Sequence, residues 1–324
     1  MSLRTQNASL SGDARPASGY EAPLASPHVP SPVPRRRRSS LSTLRVAVLD
    51  MNNGTANQGM RCLRQILGGF DGQLAGVSVL WDEFDVRRQN QVPDLRYDVY
   101  LCSGGPGSPW EDEGAEWEDK FFGLLDGLRA HNADPVNPRK FAFLICHSFE
   151  MAVRYWGLSE LVPRRSESFG IFPVHPIGAG MDDALFEALP DPFMGADFRS
   201  WQCINPDAHA FQRLGAEVLA IEKDRPHVEL ERSLMAIRFT PEIVGTQFHP
   251  EADPSGMLLH FRKEHRREMI VEKHGEAKYR AILDQILSPE GLPLTYASIL
   301  PAFLRDVVAR LQAAHDLEPS LARG

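Results

Sequence analysis

The stretch Phe141-Ala-Phe-Leu-Ile-Cys146-His-Ser-Phe-Glu150 decides the expected fold of this chain. Its first five residues are apolar and predict a short buried strand, and the run Met151-Ala-Val-Arg-Tyr-Trp156 predicts a helix after it. Cys146 would lie on the turn between them, where a nucleophile projects from the sheet edge beside the positive end of the helix dipole. That position favours the thiolate, the reactive form of cysteine. A small buried hydrophobe is the ordinary alternative for such a cysteine.

A candidate base follows about a hundred residues later, in Gln247-Phe248-His249-Pro250-Glu251. In extended backbone, residues two apart point to the same side, and the proline between His249 and Glu251 stiffens the segment. The carboxylate can therefore hold the imidazole by a hydrogen bond. Together with Cys146 this predicts a nucleophile, a base and a group that orients the base.

A third segment combines a strand with a glycine-rich loop: Tyr97-Asp-Val-Tyr-Leu-Cys102-Ser103-Gly104-Gly105-Pro106-Gly107-Ser108-Pro109. Glycines let backbone N–H groups approach a ligand closely, which suits an oxyanion hole. An ordinary Gly/Pro turn is the alternative interpretation of this loop.

The order of apolar runs and helical patterns predicts an α/β fold. Buried strands are expected at 44–50, 76–81, 97–102 and 141–145, with helices at 58–67 and 117–130 between them. Strands separated by helices imply right-handed crossovers and a doubly wound, mostly parallel sheet with flanking helices. The loops after Asp50, Cys102 and Ile145 would then open onto one edge of the sheet, where ligands bind in such folds.

The rest of the chain predicts three further regions. Short β-forming runs at 169–175, 217–222, 234–239 and 243–248 indicate a β-rich return that leads into His249. Apolar residues at helical intervals over 257–287 and 299–311 predict a helical extension packed on the domain. We therefore expect a disordered Ser/Pro/Arg-rich tail at 1–44, an α/β domain at 45–255 and a helical C-terminal extension at 256–324.

Composition and charge narrow the function. The chain of 324 residues is 43% hydrophobic and 24% charged, as in ordinary globular proteins. Six Arg against Asp13 and Glu21 give the tail a net charge of +4. Because the net charge of the whole chain is −8, the remaining residues carry about −12. An acidic body argues against nucleic-acid binding by the folded part. We interpret Arg35-Arg-Arg-Arg38 as a solvated tail, with a nucleic-acid or localisation patch as the alternative.

The cysteines and apolar runs indicate the compartment. Four cysteines form no CxxC pair and no cluster at metal-ligand spacing, which predicts reduced thiols, no metal site and a cytoplasmic protein. No apolar run approaches the ~20 residues of a membrane span, and the opening residues lack the apolar region of a secretory signal. We expect no membrane partner.

The three motifs together resemble a class I (triad) glutamine amidotransferase domain. The resemblance covers residues 45–255, and the opening strand Val46-Ala-Val-Leu-Asp50-Met-Asn-Asn-Gly54 is similar to that of the GMP synthase glutaminase type. It implies a flavodoxin-like sheet and hydrolysis of glutamine to glutamate and ammonia, with no organic cofactor. The roughly 70 residues after 255 are too few for a synthase domain. A separate synthase or ligase would therefore accept the ammonia.

The resemblance also implies a role for each matching residue. Cys146 would be the nucleophile, His249 the base and Glu251 the carboxylate that orients it. The other implied positions are the oxyanion-hole residues Gly105 and His147 and the substrate-binding residues Gly104, Glu150, Ser200 and Trp201.

Three positions depart from the family motif Gly-x-Cys-x-Gly-x-Gln, namely Leu144, Ser148 and Glu150. Leu144 demands different packing at a crowded turn, and Glu150 brings a charge where the family has an amide. Three functions therefore stay open: a stand-alone glutamine amidotransferase, a related thiol hydrolase or acyltransferase of the γ-glutamyl hydrolase or homoserine acyltransferase type, and a non-catalytic regulatory module.

Overall fold

Nine strands form one mixed sheet within residues 41–71 and 76–321, the part of the chain that the computed structural model describes, with side chains described to residue 314. The strands are β1 (Thr43–Asp50), β2 (Ser78–Asp85), β3 (Val99–Cys102), β4 (Phe141–Ile145), β5 (Ser159–Pro176), β6 (Phe193–Pro206), β7 (Glu217–Glu222), β8 (Leu234–Thr240) and β9 (Ile243–Thr246). Their order across the sheet is β2-β1-β3-β4-β9-β8-β7-β5-β6. The predicted tail lies outside the described residues except for its last four.

One half of the sheet is parallel. Neighbouring strands from β2 to β9 run parallel, with Val99 paired to Phe141 and Ala142 paired to Ile243. Every residue of β3, β4 and β9 is buried, because helices cover both faces of this half. The carboxyl ends of β1, β3 and β4 therefore meet at one edge, as the sequence predicted.

Nine α-helices flank the sheet in the described part of the chain. They are α1 (Gln58–Asp71), α2 (Val86–Gln89), α3 (Glu116–Ala133), α4 (His147–Trp156), α5 (Ala208–Leu214), α6 (Pro254–Phe261), α7 (Glu264–His274), α8 (Glu276–Leu287) and α9 (Leu292–Leu321). Helices α1 and α9 pack on one face of the sheet, and α3, α4 and α5 pack on the other. The alternation of Val46 and Ala47 between these two cores shows that strand β1 contributes to both layers.

The other half of the sheet is antiparallel. Strands β8, β7, β5 and β6 follow β9 with antiparallel pairing, and β5 with β6 forms a long hairpin. This is the predicted β-rich return, although β5 begins at Ser159 rather than at residue 169. Strand β6 was not predicted, because its buried positions include the charged residues Asp197 and Arg199.

The C-terminal helices cover this antiparallel half and one face of the core. The segment 257–287 is divided among α6, α7 and α8, and Gly275, with φ of 83°, separates α7 from α8. Helix α9 contains a stretch, Leu292–Ala314, that is long and apolar enough to cross a membrane, although no such run was expected from the sequence; half of its 18-residue apolar window is buried inside the protein. Its buried apolar residues from Ile299 to Leu311, including Phe303 and Val307, belong to the same core as α1, and Leu292 packs with α6, α7 and α8. The proposed boundary at 255/256 stays a prediction.

The doubly wound α/β class predicted from the sequence is confirmed. Strands β4 and β7 have the predicted bounds, and β1, β3, β8 and β9 differ by a few residues at their ends. Helix α4 begins at His147, directly after the cysteine, and not at residue 151. The turn at Cys146 is therefore tighter than the apolar pattern indicated.

Candidate active site

Cys146 occupies a sharp turn between the end of β4 and the start of α4. Its backbone has φ of 48° and ψ of −100°, a conformation that residues with side chains seldom adopt. The Cys146 N–H donates to the Thr246 carbonyl at 2.8 Å, and the Cys146 carbonyl accepts the first helical hydrogen bond, from the Glu150 N–H at 2.9 Å. The side chain is buried, with 5% of the residue exposed. The turn is thus a sharp strand-to-helix elbow held from both sides.

Two neighbours accommodate the departures from the family motif. The Ser148 hydroxyl accepts from the Ile145 N–H at 2.8 Å and lies 2.9 Å from the Cys102 carbonyl, to which it can donate. Leu144 faces Gly245 across the β4–β9 pairing, where a Cβ on Gly245 would lie 2.8 Å from the Leu144 carbonyl oxygen. Because Gly245 has no side chain, it leaves the room at this turn that a glycine at position 144 would otherwise provide.

His249 and Glu251 form the predicted pair. The His249 Nδ1 and Glu251 Oε1 atoms are 2.8 Å apart, and the Glu251 side chain is 3% exposed. The His249 N–H donates to the Ala196 carbonyl on β6 at 2.8 Å, which attaches the loop after β9 to the far edge of the sheet. The carboxylate thereby fixes the orientation of the imidazole.

Gly104 connects the three loops. A Cβ at this position would lie 2.7 Å from the His249 Cε1 atom and 3.4 Å from the Cys146 Cβ. Only a residue without a side chain leaves room for both neighbours. The loops after β3, β4 and β9 therefore meet at one point, with the thiol-bearing and imidazole-bearing residues on either side of Gly104.

The charges of the pair depend on each other. Burial lowers the pKa of His249, but Glu251 and the Cys146 thiolate outweigh burial and hold that pKa well above its ordinary value. Burial raises the pKa of Cys146, and His249 opposes the rise through its charge and a hydrogen bond. The mutual interaction of the two groups favours a protonated imidazole beside a thiolate, and burial, the largest effect on Cys146, opposes it and leaves the pKa of the thiol raised.

The glycine-rich loop is shaped for backbone donors. The Ser103 hydroxyl lies 2.8 Å from the Gly104 carbonyl, to which it can donate, and it accepts from the Met51 N–H at 2.9 Å. In a trans peptide the Gly105 N–H points opposite to that carbonyl, so Ser103 sets its direction. A Cβ at Gly105 would overlap the Met51 carbonyl oxygen, which requires glycine there.

His147 supplies the first N–H of α4, and such N–H groups have no partner within the helix. Its ring is buried, and neither ring nitrogen has a hydrogen-bond partner among the described residues. Burial, assisted by the charge of Arg87, lowers the pKa of His147 to about 3, so the ring is neutral. Its position fits a contribution through the backbone N–H alone.

Glu150 lies in the buried interior beside the thiol. Its Oε1 accepts from the Gln247 Nε2 at 2.9 Å, and that nitrogen is 3.8 Å from the Cys146 sulfur. Burial raises the pKa of Glu150 to about 7, against the opposing effects of the Gln247 hydrogen bond and the Arg199 charge. The carboxylate is therefore partly protonated near neutral pH.

A buried network of charges lies behind Glu150 and was not predicted from the sequence. Arg199 on β6 donates to Asp197 at 2.9 Å and lies 3.3 Å from Glu222 on β7, and all three side chains are at most 3% exposed. Arg164 on β5 pairs with the same Glu222 at 2.9 Å. The available signal was the alternation of charged residues at 197 and 199, which places both on one side of a strand.

The segment 197–201 contributes to the site differently from the expectation. The Phe198 carbonyl lies 3.9 Å from the Cys146 sulfur, and the Phe198 ring centroid is 6.0 Å from that of His249. Ser200 is exposed, and Trp201 packs, partly buried, against the core that contains α3 and α4. A substrate-binding role for Ser200 and Trp201 stays a prediction.

Comparison with solved structures gives the fold a name. The chain is similar to a glutamine amidotransferase from Thermotoga maritima, with a TM-score of 0.54 and 16% identity over 82% of this chain and 98% of that one. The fold is that of the glutamine amidotransferases. The glutaminase domain of Trypanosoma brucei CTPS with bound acivicin matches with a TM-score of 0.50 and 12% identity, over 81% of this chain and 94% of that one. No family model and no curated protein matches the sequence.

The glutamine amidotransferase fold confirms the resemblance predicted from the motifs. At these identities the similarity establishes the fold, while the roles of individual residues rest on the geometry around Cys146. That geometry brings Cys146, His249, Glu251 and Gly104 together, with Glu150 beside them.

Proposed function

We propose that this protein is a thiol hydrolase of the glutamine amidotransferase type, which releases ammonia from glutamine through Cys146, His249 and Glu251. The observation that carries the proposal is the meeting of three loops at Gly104, together with the 2.8 Å contact between His249 and Glu251. A nucleophile on a strained elbow, a base and a group that orients the base form the minimum set for acyl transfer.

The reaction starts from the thiolate–imidazolium form of the pair, which the charge of His249 and its hydrogen bond to the thiol favour against burial. The Cys146 thiolate attacks the side-chain carboxamide carbon, and the N–H groups of Gly105 and His147 stabilise the resulting oxyanion. Protonated His249 gives its proton to the departing nitrogen, the C–N bond breaks, and ammonia departs. A glutamyl thioester remains on Cys146. His249 then accepts a proton from water, whose oxygen attacks the thioester. Glutamate departs as the C–S bond breaks, and the thiolate–imidazolium pair is restored.

Ammonia requires an acceptor. The helices after residue 253 pack on the sheet and on one another, as parts of the same body as the candidate site. We infer that a separate synthase or ligase receives the ammonia. The division into an α/β domain at 45–255 and a helical extension at 256–324 belongs to the same proposal.

Glu150 is equally compatible with a second candidate, hydrolysis of another γ-glutamyl amide. A buried carboxylate beside the nucleophile replaces the neutral amide of the family motif, and it already binds the Gln247 amide. It can pair with the ammonium group of any γ-glutamyl compound, so the choice of leaving amine is set elsewhere in the site. The two candidates share the triad and differ only in the group that departs.

The deciding measurement is glutamate release from glutamine and from γ-glutamyl-p-nitroanilide by the purified protein. Replacing Cys146 by Ala should abolish turnover, a loss of about four orders of magnitude or more, because the variant lacks the nucleophile. Cys62→Ala is the matched control, because Cys62 is equally buried and burial raises its pKa to about 12. Release from glutamine alone selects the amidotransferase, and release from the anilide alone selects the second candidate. Equal rates in the wild type and in Cys146→Ala with both substrates would contradict the proposal.

A further inference from the structure

The loop that carries Gly105 is held from outside by a buried side chain, that of Arg87 on the short helix α2. This side chain is 1% exposed, and its guanidinium lies 5.4 Å from the ring centroid of Trp117. A fully buried arginine is unusual and is retained where its donors are used. Arg87 lies 18 residues before Gly105 in the chain and follows a different strand, β2.

The guanidinium of Arg87 donates to two backbone carbonyls around Gly105. Its Nη1 lies 2.6 Å from the Pro106 carbonyl oxygen and 3.4 Å from that of Met51. The Met51 oxygen is the atom that a Cβ on Gly105 would overlap. Arg87 therefore binds the residue after Gly105 and the carbonyl on which Gly105 rests.

The other end of the guanidinium fixes the far side of the same loop. Its Nη2 lies 2.8 Å from Glu111 and 2.8 Å from Asp112. Glu111 in turn accepts from the Ser108 N–H at 2.9 Å. Charged hydrogen bonds of this kind, made by a planar fork, hold a fixed geometry.

We propose that Arg87 is a positioning residue of the oxyanion hole. Ser103 sets the direction of the Gly105 N–H from within the loop, and Arg87 sets the position of the loop as a whole against Met51. The inference rests on the proposed function only in that Gly105 donates to an oxyanion. Because such donors act over a few tenths of an ångström, a loosened loop would lose oxyanion stabilisation while the thiolate remains intact.

Two reactions of Cys146 separate these effects. Acetylation by p-nitrophenyl acetate proceeds through an oxyanion: the thiolate sulfur bonds to the ester carbon, and p-nitrophenolate leaves. Alkylation by iodoacetamide forms an S–C bond as iodide leaves, with no oxyanion. Both rates are followed by mass spectrometry of the peptide that contains Cys146, and neither requires that glutamine be the substrate.

In Arg87→Met the acetylation rate should fall about a hundredfold, the lower range for loss of one oxyanion donor, while the alkylation rate is unchanged. Arg87→Lys keeps the charge but loses the fork, so its acetylation rate should lie between those of the wild type and Arg87→Met. Arg88→Met is the matched control, because Arg88 is the next residue of the same helix and is exposed. It should leave both rates unchanged.

If Arg87→Met does not fold, Glu111→Gln combined with Asp112→Asn tests the same point, since both carboxylates are partly exposed, at 44% and 34%. This variant should show the same selective loss of acetylation, to a smaller extent. Parallel loss of acetylation and alkylation, or no loss of either, would overturn the positioning role. A wild type that is alkylated but never acetylated would overturn it as well. A wild type that is acetylated but does not hydrolyse glutamine would contradict only the choice of glutamine as substrate.

Discussion

The parallel half of the sheet (β2, β1, β3, β4 and β9) and its antiparallel half (β8, β7, β5 and β6) bury different kinds of side chain. In the parallel half, β3, β4 and β9 are buried throughout and carry apolar residues at almost every position. In the antiparallel half, Asp197, Arg199 and Glu222 are each at most 4% exposed. The first half presents the loops of the site, and the second half supplies charges behind them.

This difference shows how the candidate catalytic residues are placed and which charges act on them. Apolar packing of the parallel strands brings the loops after β1, β3 and β4 to one edge of the sheet. Burial is the largest effect on the pKa of both Cys146 and Glu150. The charge of Asp197 raises the pKa of Cys146 further, and the charge of Arg199 lowers the pKa of Glu150 in opposition to burial. The antiparallel half therefore acts on the chemistry through electrostatics.

The largest expected effect is the loss of the central cation of the antiparallel half. Arg199→Met leaves Asp197 and Glu222 buried, and breaking such a buried ion pair costs about 3–5 kcal/mol of the free energy of unfolding. Urea unfolding followed by circular dichroism measures this cost. Arg64→Met on α1 is the matched control, because Arg64 donates to both carboxylate oxygens of Glu83 and the two side chains are 50% and 33% exposed. The control should lose about 1 kcal/mol or less. Equal losses of the free energy of unfolding in both variants would show that the buried network stabilises the fold no more than a surface ion pair does.

A smaller effect is expected in the parallel half, where fit between backbones matters. A Cβ on Gly245 would lie 2.8 Å from the Leu144 oxygen, so Gly245→Ala should destabilise the fold by about 1–3 kcal/mol. Gly123→Ala on helix α3 is the control, since nothing lies within 4 Å of its Cβ position. It should stabilise the protein by about 0.5–1 kcal/mol. A stabilising Gly245→Ala would contradict the account of how the elbow accommodates Leu144.

The same contrast explains which parts of the fold could be predicted. The run Phe141–Ile145 is uniformly apolar and lies between turn signals, and strand β4 has those bounds. Strand β6 alternates charged and aromatic residues, and its burial depends on partners more than twenty residues away in the chain, such as Glu222. No local pattern reveals that Arg199 is neutralised there, so a buried strand resembled a surface loop.

The candidate site divides in the same way. Cys146, His249 and Glu251 follow from strand ends and residue spacing, which are local. The room for Leu144 depends on the register that places Gly245 opposite it, and the support from Arg87 depends on where α2 packs. Both require the assembled sheet. The start of α4 at His147 was missed because neither Cys146 nor His147 is a typical helix cap.

The smallest effect concerns Glu150, the point where the two halves meet electrostatically. With its pKa raised to about 7 by burial, Glu150 is mostly neutral below that pH and mostly charged above it. Its negative charge raises the pKa of Cys146, in addition to the larger effect of burial. Glu150→Gln removes the charge, so alkylation of Cys146 by iodoacetamide should reach its plateau at lower pH. Below pH 7 the wild type and the variant should react at similar rates, because Glu150 is then protonated in the wild type.

Glu160→Gln on β5 is the control for this titration, because Glu160 is exposed and its replacement also removes one negative charge from the chain. Its pH profile should overlay that of the wild type. Identical profiles for Glu150→Gln and the wild type would mean that the carboxylate does not act on the thiol, and a shift to higher pH would mean that its hydrogen bond to Gln247 matters more than its charge. The expected shift to lower pH would show that the charge at position 150 holds back the thiolate, so that a substrate ammonium that neutralises it would raise the reactivity of Cys146 on binding.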